Sequence, residues 1–462
     1  MKIAIAGASG FVGKALISSL KGSYSVVGLS RSHHTQSEEH SSCEWRNCDL
    51  FSLIDAEKAL EGAEIAIYLV HSMRPSAHLS QGSFEDFDLI VADNFLRAAE
   101  KNKVKKIIYV GGLIPSDSKN LSKHLQSRQE VESVFLKGNV PTTILRAALI
   151  LGAEGSSFQI MTRLVSRLPI MLCPRWTATP SQPVSVEDVL TSIRYCIETP
   201  ETNGKIYDLG GPDVLSYGDM MLRVADILDL RRSLIRVPFL TPHLSALWVR
   251  LVTGAPKDLV NPLIESLRNP LLVREDHQLV IPGHKFMGIE ESLREAIKNY
   301  NSDRKPHAFK APQSAKHEVR SVQRMPLPVG WTAKDVAQEY MKFLPVMRPG
   351  FMKVEVKDRW IYFSNAFPYI RLLVLEYSPE RSWGHRELFY VRGGLFSKKS
   401  GRGRLEFREV LGGTACIAAI HDFRPRLPWY FYKVTQAYVH LWVMKQFARH
   451  LARPLEQQRK LG

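Results

Sequence analysis

Along the first 150 residues short apolar runs alternate with stretches of helical spacing. Lys2–Ala6, Ser25–Leu29, Ile65–Leu69, Lys106–Val110 and Thr142–Leu145 read as buried strands. Phe11–Leu20, Ala56–Leu60, Phe84–Glu100 and Lys123–Phe135 repeat apolar residues at the spacing of a helix face. This rhythm predicts βαβ units, hence an α/β domain with a doubly wound parallel sheet and helices on both faces. Beyond about residue 150 the alternation loosens into a small substrate-side lobe. There Gln182–Ile197 reads as a turn entering a helix, Lys205–Leu209 as a strand returning to the sheet, and Tyr217–Leu228 and Leu244–Val252 as helices.

Residues 301–329 are polar, basic and proline-containing with no sustained period, and read as a linker between a domain at 1–300 and one at 330–462. In the last part Ile370–Tyr377, Glu387–Arg392, Gly403–Val410 and Thr414–Phe423 have strand character, and one long aromatic helix is expected over Trp429–Leu451. That is an α+β plan, an antiparallel sheet closed by a helix. The aromatics Trp429, Tyr430, Phe431, Tyr432, Tyr438 and Trp442 exceed one face of that helix, so some of them must meet a pocket or an interface.

Composition is that of a globular chain, with 45% hydrophobic and 23% charged residues among 462. Five scattered cysteines offer no metal or redox spacing and read as reduced thiols. No secretory leader is visible at Met1–Gly13, so a cytoplasmic protein is expected, with no metal site and at most peripheral membrane contact. Charge changes the picture more. Residues 1–300 hold 33 basic and 33 acidic side chains, whereas 301–462 hold 29 and 13. The basic C-terminal third therefore suits an anionic membrane surface, through Lys398, Lys399, Arg402 and Arg404, or an acidic protein partner. No nucleic-acid-binding module is recognisable.

Directly after the first strand stands Gly7-Ala8-Ser9-Gly10-Phe11-Val12-Gly13. A strand before and a helix after give these glycines meaning. Gly7 permits a tight turn, Gly10 close approach of a pyrophosphate, and Gly13 close packing of helix on strand. The helix start offers amide groups and a positive dipole end to phosphate. At the end of the second strand, where an NAD-selective protein places a carboxylate, the chain has Ser30-Arg31-Ser32. Arg31 can pair with a 2′-phosphate and Ser30 can add a hydroxyl, which favours NADP, with NAD as the alternative. Asp49-Leu50 is placed to meet adenine.

This glycine spacing, Asp49-Leu50 and Tyr109-Val110-Gly111-Gly112 make residues 1 to about 300 resemble the atypical, extended branch of the short-chain dehydrogenase/reductase superfamily. Within it the resemblance is to NmrA-like and complex I 39 kDa subunit-like proteins. Tyr68 to Met73, Leu145-Arg146-Ala147-Ala148, Gln182 to Val186 and Asp208 to Pro212 support it. It implies a cofactor groove that also takes in Leu69, Val70, His71, Gly111, Arg128, Ala147 and Ala148. Residues 350–453 resemble the DUF2867 domain that follows such Rossmann domains in YbjT-like proteins, through Gly403 to Phe407 and His421 to Pro425. That resemblance implies a helix-grip-like architecture around a hydrophobic small molecule.

Enzymes of the superfamily use Tyr-x-x-x-Lys on the helix after the fifth strand and a serine near that strand's end. Here the pair is His124 and Arg128, and the serine position is Gly111 or Gly112. Arginine can hold ribose hydroxyls but does not share its proton. Two readings stay open: a cofactor-dependent sensor or binding protein, as NmrA-like relatives are, and an NADPH-dependent reductase of a quinone, enone or lipid-like carbonyl. The reductase needs another acid, and His124, His71, Ser127 and Tyr109 are the candidates.

Overall fold

The computed structural model describes residues 1–31, 43–71, 77–115, 121–237, 242–347, 352–365, 369–398 and 401–461. Ser32 and Lys399 lie outside them. The chain divides into two compact units, Met1–Arg74 with Ile90–Lys310, and Pro75–Leu89 with Ala311–Gly462.

In the first unit the expected alternation forms β1 (Lys2–Ala6), α1 (Phe11–Leu20), β2 (Ser25–Ser30), β3 (Glu44–Asn47), α2 (Leu53–Ala59) and β4 (Ile65–Tyr68). After β5 (Ala77–Gln81), which belongs to the second unit, come α3 (Phe84–Lys101), β6 (Lys106–Gly112), α4 (Lys123–Leu136) and β7 (Thr142–Ala147). The lobe adds α5 (Ser156–Arg167), β8 (Ile170–Pro174), α6 (Val186–Glu198), β9 (Ile206–Leu209), α7 (Tyr217–Ile227), β10 (Ser233–Val237), α8 (Pro242–Thr253), α9 (Lys257–Ser266) and α10 (Ile289–Asn299). Seven parallel strands run in the order β9-β7-β6-β4-β1-β2-β3. Strand order reverses at β1, between β2 and β4, which opens a crevice at the carboxyl ends of those strands. Leu16, Ile17 and Leu20 of α1 pack on Ile3 and Ile5. On the other face Tyr68, Phe95, Tyr109 and Phe135 pack edge to face or tilted, with ring centres 5.0 to 6.3 Å apart.

The second unit corrects the expected linker. Ala315–Pro326 within it is a twelve-residue strand, β11, while 301–314 lie outside the described residues. The sequence disguises this strand because its charges are neutralised by packing: Arg320 lies 3.5 Å from Asp422 and Arg324 2.7 Å from Asp86. Then follow α11 (Ala333–Met347), β12 (Met352–Lys357) and β13 (Trp360–Asn365), none of them expected. After these come β14 (Arg371–Tyr377), β15 (Arg386–Gly393), β16 (Arg404–Val410) and β17 (Ala415–Phe423). The eight-stranded sheet runs β12-β13-β14-β15-β16-β17-β11-β5, antiparallel except where β5 lies parallel to β11. Residues 75–89 thus serve a unit formed mainly by the last third of the chain. The single aromatic helix is in fact two, α12 (Trp429–Val434) and α13 (Gln436–Leu461), broken at Thr435 with φ −124° and ψ −85°.

Inside this sheet Glu406 is buried against Arg386 at 2.6 Å, Arg408 at 3.2 Å and His421 at 3.1 Å. Arg404 pairs with Asp422 at 2.6 Å and is itself buried. Arg404 therefore cannot join a basic lipid-facing loop, and part of the C-terminal charge excess is spent on internal pairs. The motifs that carry the C-terminal resemblance include these paired residues. Burying both members of each pair avoids an uncompensated charge, which would cost several kcal/mol (about 3–5).

Candidate functional site

The glycine turn leaves β1 at the point of strand reversal. Gly7 has φ +85°, and a Cβ there would lie 3.0 Å from the Leu69 carbonyl oxygen. A Cβ on Gly13 would stand 2.3 Å from the Gly7 oxygen, and one on Gly10 3.1 Å from the same atom. The Gly10 amide donates to Gly7 O at 2.9 Å and closes the turn. α1 has Gly10 at its N-cap with no side-chain cap and no acidic residue in its first turn. Its leading amides and positive dipole end, between Ser9 and Gly13, are thus suited to an anion.

The other expected cofactor residues fall along the same edge of the sheet. Ser30 ends β2, buried, with Arg31 exposed just beyond. Asp49 makes a turn, its Oδ1 accepting from the Phe51 amide at 3.2 Å, and Leu50 is buried with its carbonyl held by Asn94 at 2.8 Å. The Leu69 amide donates to Ala6 O at 3.0 Å and thereby holds the end of β4 beside the turn. Arg128, buried, reaches the Val70 carbonyl at 3.4 Å. Gly111 and Gly112 end β6; a Cβ on Gly112 would touch the Arg128 side chain at 3.4 Å. Ala147 ends β7, and with Ala148 it lines a cavity of about 110 Å³ that also meets Gly112, His124 and Ser266.

Sequence spacing did not foresee how His124 is held. From the first turn of α4 its Nδ1 lies 2.7 Å from Ser266 Oγ, at the end of α9, and its Nε2 lies 2.8 Å from His71 Nε2. The hydrogen bonds fix the tautomers. Ser266 Oγ donates its one proton to the Pro262 carbonyl at 2.8 Å, so it accepts from His124 Nδ1–H. Neutral His124 then presents a lone pair at Nε2, and His71 donates to it from Nε2–H. Two other candidate acids are buried: Tyr109 is 0% exposed within the aromatic cluster and Ser127 is 1% exposed.

Beside His124 the walls are apolar. The cavity shares Leu164, Trp176, Tyr217 and Val249 with a second cavity of about 290 Å³, which reaches Leu244, Leu247 and Leu251 on α8. These three leucines are exposed, Leu251 by 76%. On the second unit Tyr430, Phe431, Tyr438 and Trp442 are exposed beside Lys433 and Lys445, whereas Tyr432 is buried. All five cysteines are unpaired thiols. No helix among the described residues is long and apolar enough to cross a membrane.

Residues 7–163 match the family described as NAD(P)H-binding. The auxiliary protein GraX of Staphylococcus aureus is 32% identical over 111 residues, 24% of this chain and 36% of that protein. Subunit 9 of the NADH dehydrogenase [ubiquinone] 1 alpha subcomplex, mitochondrial, from Arabidopsis thaliana is 27% identical over 197 residues, 42% of this chain and 47% of its own length. The chain thus matches less than half of either relative. Among solved structures, the NADPH-dependent quinone oxidoreductase of Escherichia coli complexed with NADPH aligns with a TM-score of 0.50 at 18% identity, covering 63% of this chain and 98% of the other. Glycine turn, strand order and family match converge: residues 7–163 belong to a domain of Rossmann fold that matches the NAD(P)H-binding family.

Proposed function

We propose that this protein is an NADPH-dependent reductase of an uncharged apolar carbonyl compound, of the quinone or enone class, in which His71 and His124 replace the missing tyrosine and lysine. The observation that carries this reading is the chain Pro262 carbonyl, Ser266, His124, His71, in which His124 and Ser266 line an apolar cavity and His124 is bonded to His71. A sensor that only binds cofactor has no need of such an oriented pair.

The glycine turn fits a dinucleotide, because side chains at Gly7 and Gly13 would strike the backbone of Leu69, Gly7 and Ala8 and force apart the tight turn that brings the leading amides of α1 to a diphosphate. Ser9 to Gly13 hold the diphosphate, Ser30 and Arg31 the 2′-phosphate, Asp49 and Leu50 the adenine, and Arg128 the ribose beside the nicotinamide. Leu69, Val70, Gly111, Ala147 and Ala148 line the groove. When bound, reduced nicotinamide supplies a hydride to the electrophilic carbon. His71, once protonated to the imidazolium, would give its Nδ1 proton to the reduced oxygen and return to the neutral ring, its Nε2–H staying on His124, which Ser266 orients. The leucines of α8 give an apolar substrate its way in.

NADPH oxidation measured against a panel of quinones, enones and lipid aldehydes tests the reading. Turnover that is lost in His124→Ala is the expected result. If no compound consumes NADPH while cofactor alters affinity for a protein or lipid partner, the sensor reading replaces it.

The exposed Tyr430, Phe431 and Trp442 beside Lys433 and Lys445 support an anionic lipid surface as the partner of the basic C-terminal third. Co-sedimentation with phosphatidylserine vesicles is expected and should fall steeply between low and 0.3 M salt, on the order of tenfold or more. Binding that is indifferent to salt and to vesicle charge would remove the lipid as partner.

A further inference from the structure

The second unit contains a cavity of about 150 Å³ between the face of its sheet and the helices α12 and α13. Tyr340, Leu375, Phe396, Phe423, Tyr432 and Val443 are among its walls, and among the described residues no lysine, arginine, aspartate or glutamate lines it. Besides the phenols Tyr340 and Tyr432, four polar side chains line this largely apolar space: Gln81 from β5, Ser321 from β11, and Gln436 and His440 from α13.

Two of the four satisfy each other, His440 Nε2 lying 3.1 Å from Ser321 Oγ. The glutamines do not. Gln81, 8% exposed and one of the lining residues, donates from Nε2 to the Ala437 carbonyl at 3.1 Å, which fixes its amide orientation and leaves Oε1 buried with no partner among the described residues. Gln436 Oε1 is likewise buried without a partner. The break at Thr435 sets this residue at the first position of α13, over the cavity. Buried acceptors lacking a donor are rare in native folds, and two in one cavity call for a donor from outside the chain.

We propose that this cavity binds a small, uncharged apolar molecule bearing a hydroxyl group, an alcohol or phenol, whose O–H is accepted by the side-chain oxygens of Gln81 and Gln436. The size fits one ring with a short substituent, since a cavity of comparable volume takes up benzene. Charge selects against acids. A carboxylate would be buried with no cation in the walls, and His440 is neutral because burial pushes its pKa down to about 4. An ether of the same shape would fill the space but leave both oxygens without a donor. The site is separate from the dinucleotide groove and stands or falls independently of the reductase reading.

Ligand-observed NMR and calorimetry on the full chain, with 4-propylphenol, 4-propylanisole and 4-propylbenzoate as probes, test the proposal. The phenol should bind, the anisole roughly tenfold more weakly for the lost hydrogen bond, and the benzoate more weakly still. The double variant Gln81→Leu, Gln436→Leu removes two unpaired acceptors at the loss of the Gln81–Ala437 bond, so it should still melt cooperatively and bind phenol and anisole alike. Val443→Trp fills the cavity and should abolish binding. If that variant does not melt cooperatively, Val439→Trp at the exposed rim serves the same purpose. No phenol binding, meaning that water alone meets the two oxygens, overturns the proposal. So do equal affinity for phenol and anisole in the parent, preference for the benzoate, and binding that survives the filled cavity.

Discussion

Nε2 of His71 and Nε2 of His124 lie 2.8 Å apart, although 53 residues separate them, with Ser266 on the far side of the His124 ring. A neutral histidine pair at that distance can hold only one proton between the rings. Its outer nitrogens therefore differ: the one on Ser266 bears a proton, and Nδ1 of His71 bears none while the pair is neutral.

If this chain of bonds works as proposed, His124→Ala and His71→Ala should each lower kcat for quinone or enone reduction by about 10²–10⁴. NADPH affinity in His124→Ala should stay within about twofold, read by calorimetry. Ser266→Ala, which only frees the His124 ring, should lower kcat about tenfold, leave KM unchanged, and shift the pH profile of kcat. A Ser266→Ala protein with an unchanged pH profile would show that the serine merely packs.

Cofactor choice rests on Arg31. Arg31→Asp should weaken NADPH by about 2 kcal/mol, the worth of a charge-assisted bond with added repulsion, and improve or spare NADH. Isothermal titration with both cofactors reads this out; equal weakening of the two would mean that the side chain does not meet the 2′-phosphate.

The turn itself can be closed by one side chain. In Gly13→Val the first branch carbon starts 2.3 Å from the Gly7 oxygen, so α1 must move away from β1. Melting should fall by about 1–3 kcal/mol of stability, and affinity for either dinucleotide should drop at least a hundredfold. Retained binding in a stable Gly13→Val protein would place the diphosphate elsewhere.

Acid should unfold the second unit early. His421 and His440 are each held at about 4 by burial, against 6.5 in the unfolded chain. At pH 7 both states leave them neutral. As pH falls below 6.5 the unfolded chain takes up two protons that the native state refuses, so stability is lost between pH 6.5 and 4 by about 1.4 kcal/mol per unit for each histidine. Glu406 works in a lower window. Its neighbouring guanidinium groups Arg386 and Arg408 hold its carboxyl well below the usual range, so its contribution fades only as pH falls below 4.5. Urea midpoints at pH 7, 6 and 5 should show the decline, and His440→Asn should remove about half of its slope. An unaltered slope would contradict a buried neutral ring.

What the sequence alone determined is local. A glycine turn between a strand and a helix needs only seven consecutive residues, Gly7 to Gly13, and strand periodicity placed β1, β2, β4, β6 and β7 without reference to anything distant. His124 and Arg128 were legible because four residues on a helix share a face. Tertiary structure decided everything that depends on partners far along the chain. Ser266 meets His124 across 142 residues, and Gln81 joins a cavity whose other walls lie beyond residue 318. β11 hid its strand character because its arginines are paired with Asp86 and Asp422, so the apolar alternation that marks a buried strand was never written into it. Periodicity records which side chains leave water, but it is silent when a charge leaves water together with its partner.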